Sequence, residues 1–381
     1  MDERTLRTAA AIEAAGADWG LLTSVDTVCY ATGHAGSIEW GPSPFDGGPN
    51  LALIARDGTG GIVVSNLDDP SARADAYIST VRSYEGISAF RHPPVHENYA
   101  AAVRALAEEL GVGGTCAFEA ATCPAAVVAL LDDQISKFVD IIPELTCMRS
   151  TKTDAEIQAL TACADLTSVG QIAAYEASRA GRRELEAFAD IRCAMELHAN
   201  QRIPITGDFI SGVDKTASSE GWPDGRVLTS GDPIICDLAP RYRGYWGDSC
   251  NTLVIGDPPE AFIALHEISK QALATAAEIM HPGLAVSELD RQVRNVIEDA
   301  GYRNLLHTGH GIGTSSHEWP RIVEHETGAL EAGMVLMIEP GAYLPGVGGA
   351  RVEWMFRITD TGNEVMSTFK HVLTTESASN T

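Results

Sequence analysis

Apolar residues in the N-terminal part of the chain alternate between helical and strand-like spacing. Residues 3 to 16 repeat alanine and leucine at three- and four-residue intervals, which predicts a helix. WGLLTSVDTVCYATGH then predicts two short strands, broken near Asp26. LALIARDGTGGIVVSN predicts a hairpin around the turn at Asp57 and Gly58, and NYAAAVRALAEELGV predicts a helix that ends at Gly111. Together these elements indicate a small α/β domain.

After Lys152 the pattern changes to pairs of long helices, each followed by strand-like sequence. The first pair is predicted in DAEIQALTACADLTSVGQIAAYEASRAG and RELEAFADIRCAMELHAN, and the second in AFIALHEISKQALATAAEIM and SELDRQVRNVIEDAG. This order predicts two related α/β halves that face one another. Because 381 residues exceed the usual size of a single domain, we predict an α/β (α+β) chain with domains at residues 1–148 and 149–381.

Two aspartates stand in the β-rich sequence PIICDLAPRYRGYWGDSCNTLVI. The alternation between Ile234 and Ile255 breaks once, at RYRGY, which predicts two antiparallel strands joined by a tight turn. Asp237 lies on the first strand and Asp248 on the second. At one end of the inward face these carboxylates would repel strongly unless a cation lay between them. Taken alone, both are also compatible with ordinary aspartates of turns or caps.

Three further candidate ligands follow along the chain. His310 lies in GHGIG, where flanking glycines let the backbone approach a ligand, and a neutral imidazole is a good terminal ligand for a first-row metal. Glu339 follows the strand MVLMI, and Glu353 follows GGARV in the predicted partner strand. Pointing inward on adjacent strands, these glutamates would bridge two metals. His317 is too far from His310 to chelate by helical spacing and is better placed as a donor to a substrate.

Four carboxylates and one imidazole form a hard, oxygen-rich ligand set that suits two divalent cations. Such cations lower the pKa of water held between them, which supplies a nucleophile near neutral pH. We therefore predict a binuclear metal centre, and the ligand types are compatible with manganese, cobalt, zinc or iron.

The charge balance restricts the partners. The chain carries 27 basic and 52 acidic residues, a formal net charge of −25 at pH 7. This excess of negative charge disfavours nucleic acid and anionic membranes as partners. The N-terminus has no basic region followed by an apolar one, and no apolar run approaches the ~18 residues that span a bilayer. We therefore expect a cytoplasmic protein.

With these residues identified, the chain resembles the pita-bread metallopeptidases, a family that includes Xaa-Pro aminopeptidases, prolidases, methionine aminopeptidases and creatinase. The resemblance covers about residues 149 to 364 and rests on MRSTKTDAEIQAL, DLAPRYRGYWGD, GHGIG…HE, IEPGAY and GGARVE. The N-terminal part is similar to the creatinase/prolidase amino-terminal domain, with VCYATGHAG at the position of its Tyr-x-Thr-Gly turn. The resemblance therefore implies a creatinase-like α/β domain followed by a pita-bread catalytic domain.

The resemblance also implies which residues hold the metals. Asp237 and Asp248 would chelate one metal and share it with the second, His310 would complete one site, and Glu339 and Glu353 would bridge the two.

Catalytic roles and assembly are implied in the same way. Glu339 would carry a proton from the attacking water to the leaving amine, and His317 would stabilise the tetrahedral intermediate. Arg351 would orient Glu353 or bind a substrate carboxylate. The resemblance further implies a homodimer that acts on a small molecule or a short peptide, and the loop at residues 37–50 is our candidate for closing the partner's active site.

Two positions depart from the family's pattern. Ser219, in SGVDKTASSEGWP, stands where peptidases of this type have a histidine that helps to grip the substrate. Asn251 stands where an arginine is common. The first departure bears on peptide specificity and leaves the metal ligands unaffected.

Three functions are compatible with the sequence. The first is a metal-dependent hydrolase that cleaves a C–N amide bond, as Xaa-Pro aminopeptidases and dipeptidases do. The second is an enzyme on the same scaffold that acts on a small non-peptide metabolite, like creatinase, ectoine hydrolase or the dimethylsulfoniopropionate lyases, and Ser219 favours it. The third is a non-catalytic binding module, which the complete ligand set disfavours.

Overall fold

The computed structural model describes residues 2–38, 43, 45–219 and 221–375. The chain divides into two compact units, Met1–Arg149 and Ser150–Thr381. Residues 39–42 and 44 of the loop that we suggested as a dimer contact lie outside the described residues. Within the described ranges, no helix combines the length and the apolar character needed to cross a bilayer.

The first unit alternates helices and strands around one sheet. In chain order the elements are α1 (Glu3–Ala14), β1 (Trp19–Leu22), α2 (Val25–Thr32), β2 (Leu51–Ala55), β3 (Gly60–Ser65), α3 (Asp69–Asp75), β4 (Thr80–Tyr84), α4 (Val95–Leu110), β5 (Gly114–Phe118), α5 (Ala125–Ala129), β6 (Ile135–Asp140) and α6 (Ile142–Ser150). Among the described residues the strand order is β4-β3-β2-β1-β5-β6. The pairs β1–β2 and β2–β3 are antiparallel and the others are parallel.

Neighbouring residues of these strands pack on opposite faces of the sheet, because strand side chains alternate in direction. Leu53 packs in one hydrophobic cluster with Leu106 of α4. Ile54 packs in a second cluster with Ile12 of α1. The sheet is therefore covered by helices on both faces. The predicted hairpin is confirmed as β2–β3, and the predicted helix ends at Gly111, which adopts a φ of 66°.

The second strand predicted after β1 is wrong, because Val25–Thr32 forms the helix α2. The hydroxyl of Ser24 caps this helix by accepting a hydrogen bond of 3.3 Å from the Thr27 backbone amide. Gly33 ends it in the left-handed conformation, with a φ of 86°. A serine N-cap and a glycine C-cap thus outweigh the strand-like composition of the segment.

The second unit contains two helix pairs and their strands. In chain order the elements are α7 (Asp154–Ala177), α8 (Glu184–Ala199), β7 (Ile205–Thr206), β8 (Phe209–Ser211), α9 (Val213–Ser218), β9 (Pro233–Asp237), β10 (Ala239–Tyr242), β11 (Tyr245–Trp246), β12 (Cys250–Val254), α10 (Glu260–Ile279), α11 (Val286–Asp299), β13 (Gly309–Gly311), β14 (Glu318–Ile322), β15 (Val335–Ile338), β16 (Gly341–Leu344), β17 (Gly348–Arg351), β18 (Trp354–Ile358) and β19 (Asn363–Val365).

Each helix pair precedes its strands, as the sequence predicted, and the structure packs each pair against them. Helix α7 begins with a capping box in which Thr153 and Glu156 bond to each other's backbone amides. One cluster joins α7 and α8 to β8, β9 and β12, and includes Ile191 and Phe209. Another joins α10 and α11 to β15 and β18, and includes Leu289.

Candidate metal centre

Asp237 and Asp248 lie at the same end of the β9–β12 pair. The two strands are antiparallel, with Asp237 opposite Cys250, two residues after Asp248. The chain between them turns at Arg243 and Gly244, whose φ values of 51° and 87° are those of a two-residue hairpin turn. The predicted hairpin is therefore confirmed, with β10 and β11 forming its tip.

Glu339 and Glu353 lie at one end of the β15–β18 pair. Ile338 stands opposite Trp354 in this antiparallel pair, and the two glutamates are the next residues beyond that position. The Glu353 backbone amide donates a hydrogen bond of 2.9 Å to the carbonyl of Cys250. This bond joins the end that carries the glutamates to the hairpin that carries the aspartates.

His310 is brought to the same place by β13, which pairs with β15. A side chain on Gly309 would overlap the carbonyl oxygen of Met337, so this close pairing requires glycine. The Nδ1 of His310 lies 2.8 Å from the carbonyl of Gly311, to which it donates a proton. Its Nε2 therefore keeps a free lone pair, 3.5 Å from Oε1 of Glu339.

The centre has the composition of a metal site. Asp248, His310 and Glu353 each offer a ligand atom, and these atoms all lie within 4.8 Å of one another. The three side chains are buried. Oε2 of Glu353 has no hydrogen-bond partner among the described residues. A buried acceptor without a donor is expected where a cation binds, so these residues fit a divalent metal.

Burial destabilises the charged carboxylates of this centre. It raises the pKa of Asp248 and that of Glu353 well above the ordinary range, and neighbouring carboxylates raise both further. Burial is also the main cause that raises the pKa of Asp237 to about 6. The pKa of His310 is lowered to about 4, again mainly by burial, so the imidazole is neutral at pH 7, as a metal ligand must be.

Arg351 contacts Asp237 rather than Glu353. Its Nη2 donates hydrogen bonds of 2.6 Å to Asp237 and 2.9 Å to Asp208. The other nitrogen, Nη1, donates one of 3.1 Å to the hydroxyl of Ser219. These hydrogen bonds go to Asp237, Asp208 and Ser219, and the role of Arg351 toward Glu353 or a substrate carboxylate stays a prediction. Strand β17 lies beside β12 and β9, and the guanidinium reaches the aspartate end of the site from there.

His307 holds Glu339. Its Nε2 lies 2.7 Å from Oε1 of Glu339, and its Nδ1 accepts a hydrogen bond of 3.3 Å from Nε of Arg321. Because Nδ1 accepts, the ring proton is on Nε2 and is donated to Glu339. Burial raises the pKa of Glu339, but this hydrogen bond and the neighbouring charges outweigh that effect and leave the pKa below its ordinary value.

His317 and Ser219 border the centre. The ring of His317 stacks on that of His310 with centroids 4.0 Å apart, and burial lowers its pKa. The hydroxyl of Ser219 donates a hydrogen bond of 2.9 Å to Oη of Tyr343. Ser219 is buried and occupies the left-handed region, with a φ of 71°.

The sequence interpretation missed His307 and Asp208. His307 precedes His310 by three residues, and this spacing close to a proposed ligand was the available signal. No comparable local signal identifies Asp208, because its partner Arg351 is 143 residues away along the chain. Only the packing of β17 beside β9 brings these two together.

Comparison with known proteins agrees with this architecture. The model of metallopeptidase family M24 matches residues 158–360, and that of the creatinase/prolidase N-terminal domain matches residues 4–151. A Xaa-Pro dipeptidase of Pyrococcus furiosus is 33% identical over 231 residues, which are 60% of this chain and 65% of that protein. The aligned segment thus spans slightly less than two thirds of that relative.

Solved structures match over nearly the whole chain. The prolidase from Pyrococcus horikoshii OT3 superposes with a TM-score of 0.81 at 25% identity, covering 98% of this chain and 100% of that one. A Xaa-Pro dipeptidase from Bacillus anthracis shares the fold, with a TM-score of 0.80 at 24% identity and coverage of 98% and 99%. Since the M24 model spans more than half of the sequence, and the creatinase/prolidase N-terminal model precedes it, this chain belongs to metallopeptidase family M24.

Proposed function

We propose that the protein is a binuclear-metal hydrolase that cleaves the amide bond before proline in dipeptides or other short peptides. The observation that carries this proposal is the buried cluster of Asp248, His310 and Glu353, with ligand atoms within 4.8 Å of one another. The substrate class is supported by the relatives named above as Xaa-Pro dipeptidases and prolidase.

Five side chains would hold the metal ions: Asp237, Asp248, His310, Glu339 and Glu353. Their oxygen-rich set with one imidazole suits manganese, cobalt, zinc or iron. When bound, divalent cations act as Lewis acids and make water acidic enough to supply a nucleophile at neutral pH.

Glu339 is the proposed proton carrier. The proton that His307 donates to Oε1 favours the ionised carboxylate, so at pH 7 Glu339 can accept a proton from the attacking water. It would then return this proton to the amine that leaves. His307 holds the carboxylate in place during both transfers.

His317 is the proposed donor to the developing oxyanion. Its ring stacks on His310, and its side chain is exposed beside the buried cluster, where a substrate carbonyl would lie. Partial desolvation of the ring lowers its pKa, so the ring is neutral at pH 7 and carries one N–H proton to donate. Arg351 acts through Asp237 and is a positioning residue.

A second candidate function is hydrolysis or lysis of a small non-peptide metabolite. The observation that favours it is Ser219, whose hydroxyl is bonded to Tyr343 and Arg351. At this position the protein offers no imidazole to a peptide carbonyl. The metal ligands would be the same in both functions.

We also propose that the protein is a homodimer, as the family resemblance implies. Sedimentation equilibrium of the metal-loaded protein is expected to give twice the chain mass of 40.5 kDa. A mass of one chain at micromolar concentration would contradict this proposal.

The activity is tested by proline release from a panel of Xaa-Pro dipeptides and longer peptides by manganese-loaded protein, with metal content measured on the same sample. We expect two metals per chain and release from at least one dipeptide. The variant Glu353→Gln removes one buried carboxylate charge and is expected to lose both metal and activity. The matched control is Glu267→Gln, an exposed position on α10.

Three outcomes separate the candidates. Full metal binding and activity in Glu353→Gln would show that the site assignment is wrong. Two bound metals without release from any peptide would favour the small-metabolite function. A wild-type chain that binds no metal would contradict both enzymatic proposals. It would favour the third function, a non-catalytic binding module.

A further inference from the structure

A buried ion pair joins Lys152 to Glu318, the residue that follows His317 in the chain. Nζ of Lys152 lies 3.1 Å from Oε2 of Glu318, and the two side chains are 0% and 6% exposed. Successive side chains point to opposite faces where a strand begins, so Glu318 turns inward at the start of β14 while His317 remains exposed. Neither the proposed metal set nor the mechanism above uses this pair.

The carboxylate of Glu318 ties together the loop that carries His317. Its Oε1 accepts a hydrogen bond of 3.2 Å from the backbone amide of Ser315, while its Oε2 accepts the bond from the buried ammonium. The carboxylate also lies against Gly313, where an added Cβ would come within 2.5 Å of Oε1. Residues 313–318 are therefore fixed by contacts that converge on one side chain.

Lys152 is a rigid base for this pair. Its backbone amide donates a hydrogen bond of 2.9 Å to the carbonyl of Gly333, and its Nζ also donates one of 3.1 Å to the carbonyl of Ser150. The next residue, Thr153, is the N-cap of the 24-residue helix α7. The lysine is thus held at both ends, so its ammonium gives Glu318 a fixed partner.

Other contacts hold the ring of His317 only weakly. The register of the β13–β14 pair shifts between His310 and Gly311, so Glu318 lies beyond the regular part of this ladder. The ring stacks on His310, with centroids 4.0 Å apart. Among the described residues it makes one hydrogen bond, of 3.2 Å, between its Nδ1 and the hydroxyl of the neighbouring Ser316. The position of the ring therefore depends on the backbone that Glu318 anchors.

We infer that Lys152 and Glu318 are positioning residues, whose ion pair holds the loop so that the imidazole of His317 points at the substrate carbonyl. This inference rests on the proposed role of His317 as a donor to the oxyanion. Such a donor must lie about 3 Å from the oxygen that develops charge, and a displacement of about 1 Å can cost about a hundredfold in rate. A buried ion pair is by itself weak evidence for stability, because the cost of removing both charges from water offsets their attraction. The contacts of Glu318 within the loop favour the positioning role.

The variant Glu318→Gln tests this inference, because it removes one charge of the pair and keeps an oxygen that can accept from Ser315. In manganese-loaded protein we expect kcat for an Xaa-Pro dipeptide to fall at least about tenfold, with KM nearly unchanged and two metals still bound, since the donor acts in the transition state.

A second measurement needs no substrate. In zinc-loaded protein, isotope-labelled at Cε1 of its histidines, the NMR signal of His317 is assigned by its loss in His317→Gln. We expect this signal to move and broaden in Glu318→Gln, because the ring leaves its stack on His310.

The matched control is Glu184→Gln on α8, which makes the same chemical change at another buried carboxylate. Glu184 lies 3.5 Å from Nζ of Lys215 and accepts hydrogen bonds of 3.0 Å from the backbone amides of Ser211 and Asp224. This variant should keep the wild-type kcat and the wild-type His317 signal.

The double variant Lys152→Met/Glu318→Gln removes both charges and leaves no unpaired buried charge, so it replaces the single variant if that one does not fold. A wild-type His317 signal in either variant would overturn the inference, whatever the activity. A displaced signal with wild-type kcat would confirm the positioning and contradict the role of His317 as a donor. A wild-type protein that releases no proline would contradict the proposed function, and the NMR signal would still decide the positioning.

Discussion

Nη2 of Arg351 donates a hydrogen bond of 2.6 Å to Asp237, so a buried guanidinium contacts one of the proposed metal ligands directly. The same nitrogen also bonds to Asp208, at 2.9 Å, and the second terminal nitrogen bonds to Ser219. Only a planar fork makes these contacts together, because the donors of a lysine radiate from one atom.

Replacing Arg351 with lysine is therefore expected to weaken manganese binding by about tenfold to a hundredfold, the usual effect of losing a residue that orients a metal ligand. Isothermal titration calorimetry measures it directly. The control is Arg357→Lys, a partly exposed arginine bonded to Glu364 at 3.3 Å, which should bind manganese as the wild type does. Unchanged affinity in Arg351→Lys would mean that Asp237 needs no orientation or is not a ligand.

Removal of the His307 proton donor is expected to slow turnover. In His307→Gln the fixed N–H to Oε1 of Glu339 is lost, so Glu339 is both less well oriented and less stabilised as a carboxylate. We expect kcat to fall by about tenfold to a hundredfold with KM nearly unchanged, since the ground-state contacts of the substrate remain. The comparison is His325→Gln, at an exposed position. A change confined to KM would instead place His307 in substrate binding.

Removal of the metals is expected to lower the melting temperature. Without cations the buried carboxylates of Asp248 and Glu353 lie near one another, and their pKa values are raised. Saturating manganese at about 100 times Kd stabilises the folded state by about 2.7 kcal/mol per site. Calorimetric melting with manganese and with a chelator measures the difference. Glu353→Gln should show a smaller metal-dependent shift than Glu267→Gln, and equal shifts would argue against Glu353 as a ligand.

Buried His266 is expected to make the protein less stable in acid. Burial, aided by the charge of Lys270, lowers its pKa to about 4, and its ring nitrogens have no hydrogen-bond partner in the described residues. Because the folded pKa lies below the unfolded value of 6.5, this contribution to stability is present above pH 6.5 and is lost as pH falls toward 4.

The variant His266→Leu isolates this effect. Between pH 7 and pH 5 its unfolding free energy should decrease by about 2 kcal/mol less than that of the wild type. Urea unfolding in the presence of a chelator measures both proteins without a contribution from metal release. His325→Leu, at an exposed position, should follow the wild-type pH dependence. Parallel curves for His266→Leu and the wild type would show that His266 is not protonated during unfolding in this range.

Much of the fold could be read from local patterns. The β2–β3 hairpin and the helix ending at Gly111 follow from short turn and cap signals, and the Asp237–Asp248 hairpin follows from one break in alternation. The interpretation failed at Val25–Thr32, where strand-like residues lie between Ser24 and Gly33. There the sequence contains both capping residues, and their preference for a helix outweighs the strand preference of the residues between them.

The sequence could identify only those features of the candidate site that depend on residues close together in the chain. Asp237, Glu339 and Glu353 each end or follow an apolar strand, so sequence alone singles them out. The roles of Arg351 and His307 could not be predicted, because a hydrogen-bond partner depends on which strands become neighbours. Arg351 bonds across 114 residues of chain to Asp237, and His307 bonds across 32 to Glu339.

The sequence by itself determined the two-part α/β organisation, the strand ends that carry the acidic residues and the family to which the chain belongs. These properties follow from periodicity, turn residues and short motifs, which act within a few residues of one another. Tertiary structure alone decided that Arg351 contacts Asp237, that His307 holds Glu339 and that Lys152 pairs with Glu318. Such relationships depend on side-chain packing between distant segments, and the distances that define them arise only when the strands and helices assemble.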